Sequence, residues 1–206
     1  MPSGSPSSAP LKPEAAEIAR LDIPALITRF GRGVENFDRR VFDLTDSQLD
    51  TAFRPEMGVG QWPVRVLLGH VADAELLFVT RLRRIVAEDH PVLPLWDEDT
   101  SIDAGMYRGP LPETPSPLTV PPPIGGFVAV VHTLRRWTTE WLAALDPSCW
   151  TRTGLHPQKG EQTLRDIANY ATWHLENHAW YLNRKVELFL GPAGDQPPAR
   201  AGGAGV

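Results

Sequence analysis

A long helical stripe between residues 164 and 190 constrains the fold of this chain more than any other sequence feature. Apolar residues recur there at spacings of three and four, which is the period of one helix face. Thr163 precedes the segment and Asp166 follows three residues later, a pair typical of the capping box at a helix start. The stripe consists of Leu164, Ile167, Ala168, Ala171, His174, Leu175, His178, Leu182, Val186 and Phe189. A helix with such a face needs partners that bury it.

Three other segments have the same periodicity and predict helices over residues 24–41, 62–86 and 127–145. A further capping box opens a short helical turn at Thr45, and alternation typical of strands is weak throughout. The connection 89–126 is too long for a hairpin, and seven of the fourteen residues from 110 to 123 are proline. Such a crossover allows the second and third helices to lie parallel. The sequence therefore predicts an all-α four-helix bundle with up-down-down-up topology and a long Pro-rich crossover between helices 2 and 3.

Composition limits the domain organisation and the partners. Residues 1–13 and 191–206 are rich in Ser, Pro, Gly and Ala, which predicts disordered tails on one domain spanning 14–190. A net charge of -5 argues against a nucleic-acid partner, since phosphate neutralisation needs a basic surface. The sequence has neither an apolar run long enough for a membrane span nor a signal peptide, so we expect a cytoplasmic protein with no membrane partner. With Cys149 as the one cysteine, an internal disulfide is excluded.

Histidines on the apolar faces are the strongest functional signal. His174 and His178 are four residues apart, so their side chains stack on one helix face with Cβ atoms roughly 5–6 Å apart. Two imidazoles so placed can hold one cation at the ~2.0–2.1 Å of zinc–nitrogen bonds. His70 is the other histidine on a predicted inward face and is the natural third ligand. Three histidines leave a coordination position for water, which is typical of catalytic sites.

Spacing alone leaves metal binding and metal-free core histidines equally open. The segment from His174 to His178 is not the zincin motif, because Glu176 points away from the predicted metal face. A di-iron site is excluded too, since no glutamate stands three residues before a histidine on the second or fourth helix. His132 lacks a partner at helical spacing, and the loop histidines His90 and His156 receive no role.

Three motifs resemble a known family. Segment 62–75 begins with Trp-Pro and continues to Gly-His-Val-Ala-Asp, and it resembles the second-helix signature of the YfiT branch of the DinB-like proteins. Segment 156–178, with His-Pro, Thr-Leu and Tyr-Ala-Thr-Trp-His-Leu-Glu-Asn-His, resembles the family's last helix, and segment 94–99 resembles its loop after the second helix. The resemblance spans about residues 20–190. One departure is Gly69, where relatives often carry a second histidine.

This resemblance implies an up-down-down-up bundle, often a homodimer, with one divalent ion, zinc or nickel, on three histidines. The seven tryptophans agree with a dimer but also suit a core. Relatives are described as metal-dependent hydrolases, and some are thiol S-transferases that use bacillithiol or mycothiol. We therefore expect a small-molecule substrate, with a low-molecular-weight thiol as a candidate cosubstrate.

Further site residues follow from their spacing to the ligands. Asp73 lies one turn after His70 and could orient a ligand or act as general base, or it could be an exposed helix carboxylate. Asn177 and Tyr181 each follow a ligand by three residues and are candidate substrate contacts. The acidic loop 97–99 could be a lid or a solvated segment. The alternative to an enzyme is a non-catalytic bundle that the metal staples together, acting as a stress-related binding or interaction protein.

Overall fold

A computed structural model of the chain describes residues 11–111 and 116–193. Within these ranges the helices are α1 Ala15–Ala19, α2 Ile23–Gly31, α3 Asp46–Leu49, α4 Val64–Ala87, α5 Glu98–Asp103, α6 Ile124–Ala143 and α7 Leu164–Leu190. The strands are β1 Thr153–His156 and β2 Gly160–Thr163. Short 3₁₀ turns lie at Gly33–Asn36, Arg39–Asp43, Pro55–Met57 and Pro147–Thr151. No helix in the described part is long and apolar enough to cross a membrane.

The longest helix, α7, begins at the predicted capping box. The hydroxyl of Thr163 accepts from the backbone N–H of Asp166 at 3.0 Å, and the carboxylate of Asp166 accepts from the backbone N–H of Thr163 at 2.9 Å. Both otherwise unpaired groups are satisfied, which fixes the first turn. With 27 residues, α7 is about 40 Å long and spans the whole bundle.

Helices α4 and α6 lie parallel. At their first turns Arg65 donates to the carbonyl of Pro122 at 2.7 Å, and towards their last turns the guanidinium of Arg83 lies over the ring of Trp141 at 4.8 Å. Residue numbers therefore rise in the same direction along both helices. The chain achieves this by crossing the bundle between residues 88 and 123, as predicted.

Helix α7 runs antiparallel to α4 and parallel to α2. Trp62 stacks against His178 at one end of α4, whereas Phe78 meets the ring of Tyr170 further along. Along α2, Leu21 just before the helix accepts from Arg165, and Arg29 donates to Glu176. Together with the parallel pair, these contacts confirm the predicted up-down-down-up bundle.

A buried ion pair joins all four bundle helices. The guanidinium of Arg135 on α6 donates to both carboxylate oxygens of Glu75 on α4. It also donates to the carbonyls of Phe30 on α2 and Ala171 on α7, at 3.3 and 2.7 Å. Burial raises the pKa of Glu75, and the positive charge of Arg135 opposes that rise. The pair separates two apolar clusters that form the core, one at each end of the bundle.

The first predicted helix, over 24–41, is wrong in its second half. Helix α2 ends at Gly31, and two 3₁₀ turns follow. Gly33 has φ +47°, a left-handed conformation that interrupts the helix, and a Cβ there would lie 3.2 Å from Arg135. Val41 is nevertheless buried, so the apolar pattern predicted the inward face correctly without the helix.

The two-stranded hairpin was not predicted. β1 and β2 pair antiparallel, with Thr153 opposite Thr163 and His156 opposite Gly160. The backbone of Leu155 exchanges hydrogen bonds with the crossover, donating to Pro91 and accepting from Leu93, both at 2.9 Å. The hairpin is thereby fixed against the start of the crossover, beside the carboxyl end of α4.

The crossover also contacts α4 at Tyr107. Tyr107 is buried against Gly69, and its hydroxyl donates to the carboxylate of Asp73 at 2.6 Å. Burial and this hydrogen bond together raise the pKa of Tyr107. Residues 112–115 of the Pro-rich segment lie outside the described residues.

The predicted tails lie mostly outside the described residues, which exclude 1–10 and 194–206. At the described end of the first tail, Lys12 donates to the hydroxyl of Tyr181 at 2.7 Å and Pro13 accepts from the indole of Trp173 at 3.2 Å. Residues 12 and 13, which the sequence analysis assigned to the first tail, therefore contact α7.

Candidate metal centre

The bundle brings the three predicted histidines together. His70 projects from α4, and His174 and His178 project from one face of the antiparallel α7. One ring nitrogen of each lies within 4.8 Å of the others. The Nε2 atoms of His70 and His174 are 3.2 Å apart. Two nitrogens bound tetrahedrally at ~2.1 Å would be about 3.4 Å apart, so this separation suits a shared zinc-sized ion.

The hydrogen-bonding needs of these rings favour a cation. Each neutral imidazole has one donor and one acceptor nitrogen. A direct hydrogen bond between His70 and His174 would satisfy a single acceptor, whereas an ion satisfies the acceptor nitrogen of all three rings. The donor set therefore fits a divalent ion.

Burial keeps all three rings neutral. It lowers the pKa of His70 to about 4 and that of His178 to about 3. The pKa of His174 is lowered well below its ordinary value, first by burial and then by the neighbouring His178 and His70. Neutral imidazole is the ligating form, so at neutral pH no proton has to leave before a cation binds.

Aromatic side chains hold the imidazoles in place. Trp96 from the crossover stacks on His70 with ring centroids 5.2 Å apart, and Trp62 stacks on His178 at 6.2 Å. Phe78 meets His174 edge-on at 5.3 Å. Metal-binding histidines are commonly oriented by an acceptor on the second ring nitrogen. Because no such acceptor exists among the described residues, packing sets the ring orientation here.

In the described part of the chain, cavities border the histidines on two sides. The first, which we call the Arg81 cavity, measures about 210 Å³ and is lined by His70, His174, Phe78, Arg81, Trp96 and Lys159, among others. The second, the Lys185 cavity, also measures about 210 Å³ and is lined by Trp62, Leu67, His178, Tyr181 and Lys185 among others. A small molecule can therefore approach the three histidines from two sides.

The other predicted site residues are placed differently from one another. Tyr181 lines the Lys185 cavity beside His178, where a substrate contact is feasible. Asn177 is buried, and its Oδ1 has no partner among the described residues, but it lines neither cavity. Asp73 also lines neither cavity, and its carboxylate accepts from Tyr107. The roles assigned to these three residues stay predictions.

Sequence reasoning missed the polar wall of the Arg81 cavity. Arg81 follows His70 by eleven residues, three helical turns along the same face, so an arginine at an inward position was the available signal. His156 is buried at the end of β1, and its Nδ1 accepts from the backbone N–H of Gln158 at 3.2 Å. No periodic pattern could place His156 or Lys159, because the hairpin itself was not predicted.

The chain is similar to several curated bacterial proteins. It is 30% identical over 139 residues to an Oceanobacillus iheyensis protein named "Putative metal-dependent hydrolase", covering 67% of this chain and 70% of the relative. A Bacillus pumilus protein of the same name is 27% identical over 166 residues, covering 80% of this chain and 85% of the relative.

The fold and a family profile agree with these relatives. The structure of YfiT from Bacillus subtilis, described as "a probable metal-dependent hydrolase with an unusual four-helix bundle topology", superimposes with a TM-score of 0.57 at 21% identity. The match covers 91% of this chain and 94% of YfiT, and it shows a shared fold. The profile of the DinB superfamily matches residues 29–182. The resemblance noted in the sequence is confirmed, and the chain belongs to the DinB superfamily.

Proposed function

We propose that this protein is a metal-dependent hydrolase of a small molecule, with one divalent ion, zinc or nickel, held by His70, His174 and His178. The observation that carries the proposal is the cluster of three ligand nitrogens within 4.8 Å of one another, bordered by two cavities. The names of the curated relatives point to the same chemistry. A non-catalytic staple would need no cavities beside its ligands, so their presence favours an enzyme.

The chain's own residues prepare the site for hydrolysis. An ion held there would supply Lewis acidity and would lower the pKa of a bound water towards ~7. Trp62, Phe78 and Trp96 pack against the imidazoles and make the surroundings of the site less polar, which strengthens electrostatic interactions there. Glu98 is the carboxylate, among the described residues, that lines a cavity together with two of the histidines. We assign proton acceptance from the attacking water to its carboxylate.

Elemental analysis and a substrate panel test this proposal. The purified full-length protein should retain about one zinc or nickel ion per chain, and the metal-loaded form should hydrolyse members of a panel of small esters and amides. His174→Ala should lose both the metal and the activity, because two ligands remain. His132→Ala is the matched control: His132 is exposed on α6, and its loss should change neither. Stoichiometric metal retained by His174→Ala would refute the ligand assignment.

A thiol S-transferase, which the family resemblance also implies, would use the same three ligands to hold a thiolate. The substrate panel therefore includes bacillithiol, mycothiol and glutathione with an electrophilic acceptor. Activity that requires a thiol and is absent with water alone would replace hydrolysis by thiol transfer. Metal binding without turnover in either assay would favour the non-catalytic bundle.

We also propose that the protein is a cytoplasmic homodimer. The family resemblance supports a dimer, and Leu76 on α4 and Trp137 on α6 are each half exposed on the outer surface of the bundle. Tryptophan is enriched at interfaces. A monomer mass by light scattering at micromolar concentration would refute the dimer.

A further inference from the structure

Arg81 is a buried charge with no carboxylate partner among the described residues. The residue is 6% exposed, and its Nε and Nη2 atoms donate to the carbonyl of Pro94 at 3.1 and 2.7 Å. Two other buried arginines are paired: Arg65 donates to Asp50 and Asp46, and Arg135 donates to Glu75. Since an uncompensated buried charge is costly, a guanidinium left in this state next to a cavity indicates a site for an anion.

The neighbouring polar groups in the Arg81 cavity are also donors. Lys159 lies in the hairpin turn, with its Nζ atom 4.3 Å from the centroid of the Tyr170 ring. His156 uses Nδ1 as an acceptor for the backbone N–H of Gln158, so its proton is on Nε2 and is available for donation. Both residues line the cavity with Arg81. Three side chains from two elements therefore present donors to the same space.

The side chains of the cavity, counted apart from an ion on the histidines, favour a monoanion. Arg81 and Lys159 are positive, and Glu98, which also lines the cavity, is negative. A ligand with one negative charge neutralises the sum, whereas a dianion would leave an excess. A carboxylate matches this charge, and its two oxygens match the planar guanidinium fork.

We propose that the Arg81 cavity binds the carboxylate of an acidic small-molecule substrate and so directs a neighbouring bond to the metal centre. This inference rests on the proposed function, since His70 and His174 line the same cavity. The volume of about 210 Å³ limits the bound part. At roughly 30 Å³ for each water-sized group, it holds about seven non-hydrogen atoms. Leu77, Leu95 and Phe78 are apolar members of the lining and suit a short aliphatic or aromatic acid.

A binding experiment without turnover tests the inference. The full-length zinc-loaded protein, labelled with ¹⁵N, is titrated by NMR at physiological salt with butyrate and with butyramide, its uncharged isostere. Butyrate should shift the amide signals of the hairpin turn at Gln158 and Lys159, and butyramide should bind at least about tenfold more weakly, because charge-assisted hydrogen bonds are lost. Inorganic phosphate forms a third arm, and it should bind more weakly than butyrate.

Variants separate the cavity from the metal. Arg81→Gln should weaken butyrate binding about tenfold or more and Lys159→Ala a few-fold, whereas Glu98→Gln should tighten it by removing a like charge. Arg136→Ala, which removes a positive charge from the exposed side of α6, should leave it unchanged. Arg81 also donates a hydrogen bond to the carbonyl of Pro94, so Arg81→Gln could fail to fold. Lys159 and Glu98 are exposed, and Lys159→Ala and Glu98→Gln test the inference in that case.

Three outcomes would overturn the inference. Equal affinity for butyrate and butyramide would show that the cavity does not recognise the negative charge of the ligand. Butyrate binding that is lost in His174→Ala but unchanged in Lys159→Ala and Glu98→Gln would place the carboxylate on the metal alone. Phosphate binding tighter than butyrate would show that the anion class is wrong. None of these readouts needs hydrolysis, so a protein that binds butyrate as described but turns over no substrate keeps this anion site while the proposed hydrolysis fails.

Discussion

Replacing Glu75 by glutamine should destabilise the protein more than any surface change, because it leaves the guanidinium of Arg135 buried without its counter-charge. The two side chains are 0% and 1% exposed, so water cannot compensate the lost charge. Breaking a buried ion pair by removing one partner costs roughly 3–5 kcal/mol. For a domain of this size that corresponds to a melting temperature lowered by about 6–20 °C.

The measurement is urea unfolding followed by circular dichroism on the full chain. Glu140→Gln is the matched control, since its pair with Arg136 on α6 is exposed and spans 4.0 Å. Removing that charge should cost less than about 1 kcal/mol. The double variant Glu75→Met with Arg135→Met should be more stable than Glu75→Gln, because two apolar side chains leave no unpaired buried charge. A cost for Glu75→Gln no larger than that of Glu140→Gln would refute the reasoning.

Three further predictions follow from the site. In the metal-free protein, His70 and His178 have folded pKa values of about 4 and about 3. The free energy of unfolding should therefore fall as the pH drops from ~6.5 to ~4, by roughly 1.4 kcal/mol per pH unit for each histidine. Urea midpoints measured in EDTA that stay constant over this range would contradict this. Burial lowers the pKa of Lys185 to about 8. As the pH rises from ~8 to ~10.5, the free energy of unfolding of the wild type should therefore increase by roughly 2–3 kcal/mol relative to that of Lys185→Met. A difference between the two proteins that does not change with pH would show that the amine is not desolvated. Trp96→Ala should weaken zinc binding about tenfold by freeing the ring of His70; competition with a chelating dye measures this, and an unchanged affinity would exclude an orienting role.

Much of the bundle could be predicted because the apolar period and the capping signals agree locally. The stripe of α7 and the box at Thr163 and Asp166 describe one helix whatever surrounds it. The length of the crossover was enough to indicate that α4 and α6 lie parallel. The three histidines could be grouped because two share a helix face and the third occupies an inward position on another helix.

What could not be predicted depends on contacts made far away in the sequence. The end of α2 follows from the left-handed backbone at Gly33, which packs against Arg135, while the apolar pattern continues through the 3₁₀ turns. The strands of the hairpin are four residues each and are held in part by backbone hydrogen bonds between Leu155 and the crossover. The wall of the Arg81 cavity needs that hairpin, so Lys159 and His156 could not be assigned from the sequence.

The packing of Tyr107 on Gly69 has a consequence for sequence covariation in the superfamily. A Cβ at position 69 would lie 2.6 Å from Cγ of Tyr107, which real structures essentially never allow. Tyr107 cannot swing aside easily, because it is buried and its hydroxyl is bonded to Asp73. A relative with histidine at position 69 must therefore carry a smaller residue at the place of Tyr107, or lead its crossover over another part of α4. Positions 69 and 107 should change together, and a pair of relatives that differ at one of them alone should differ in the route of this segment.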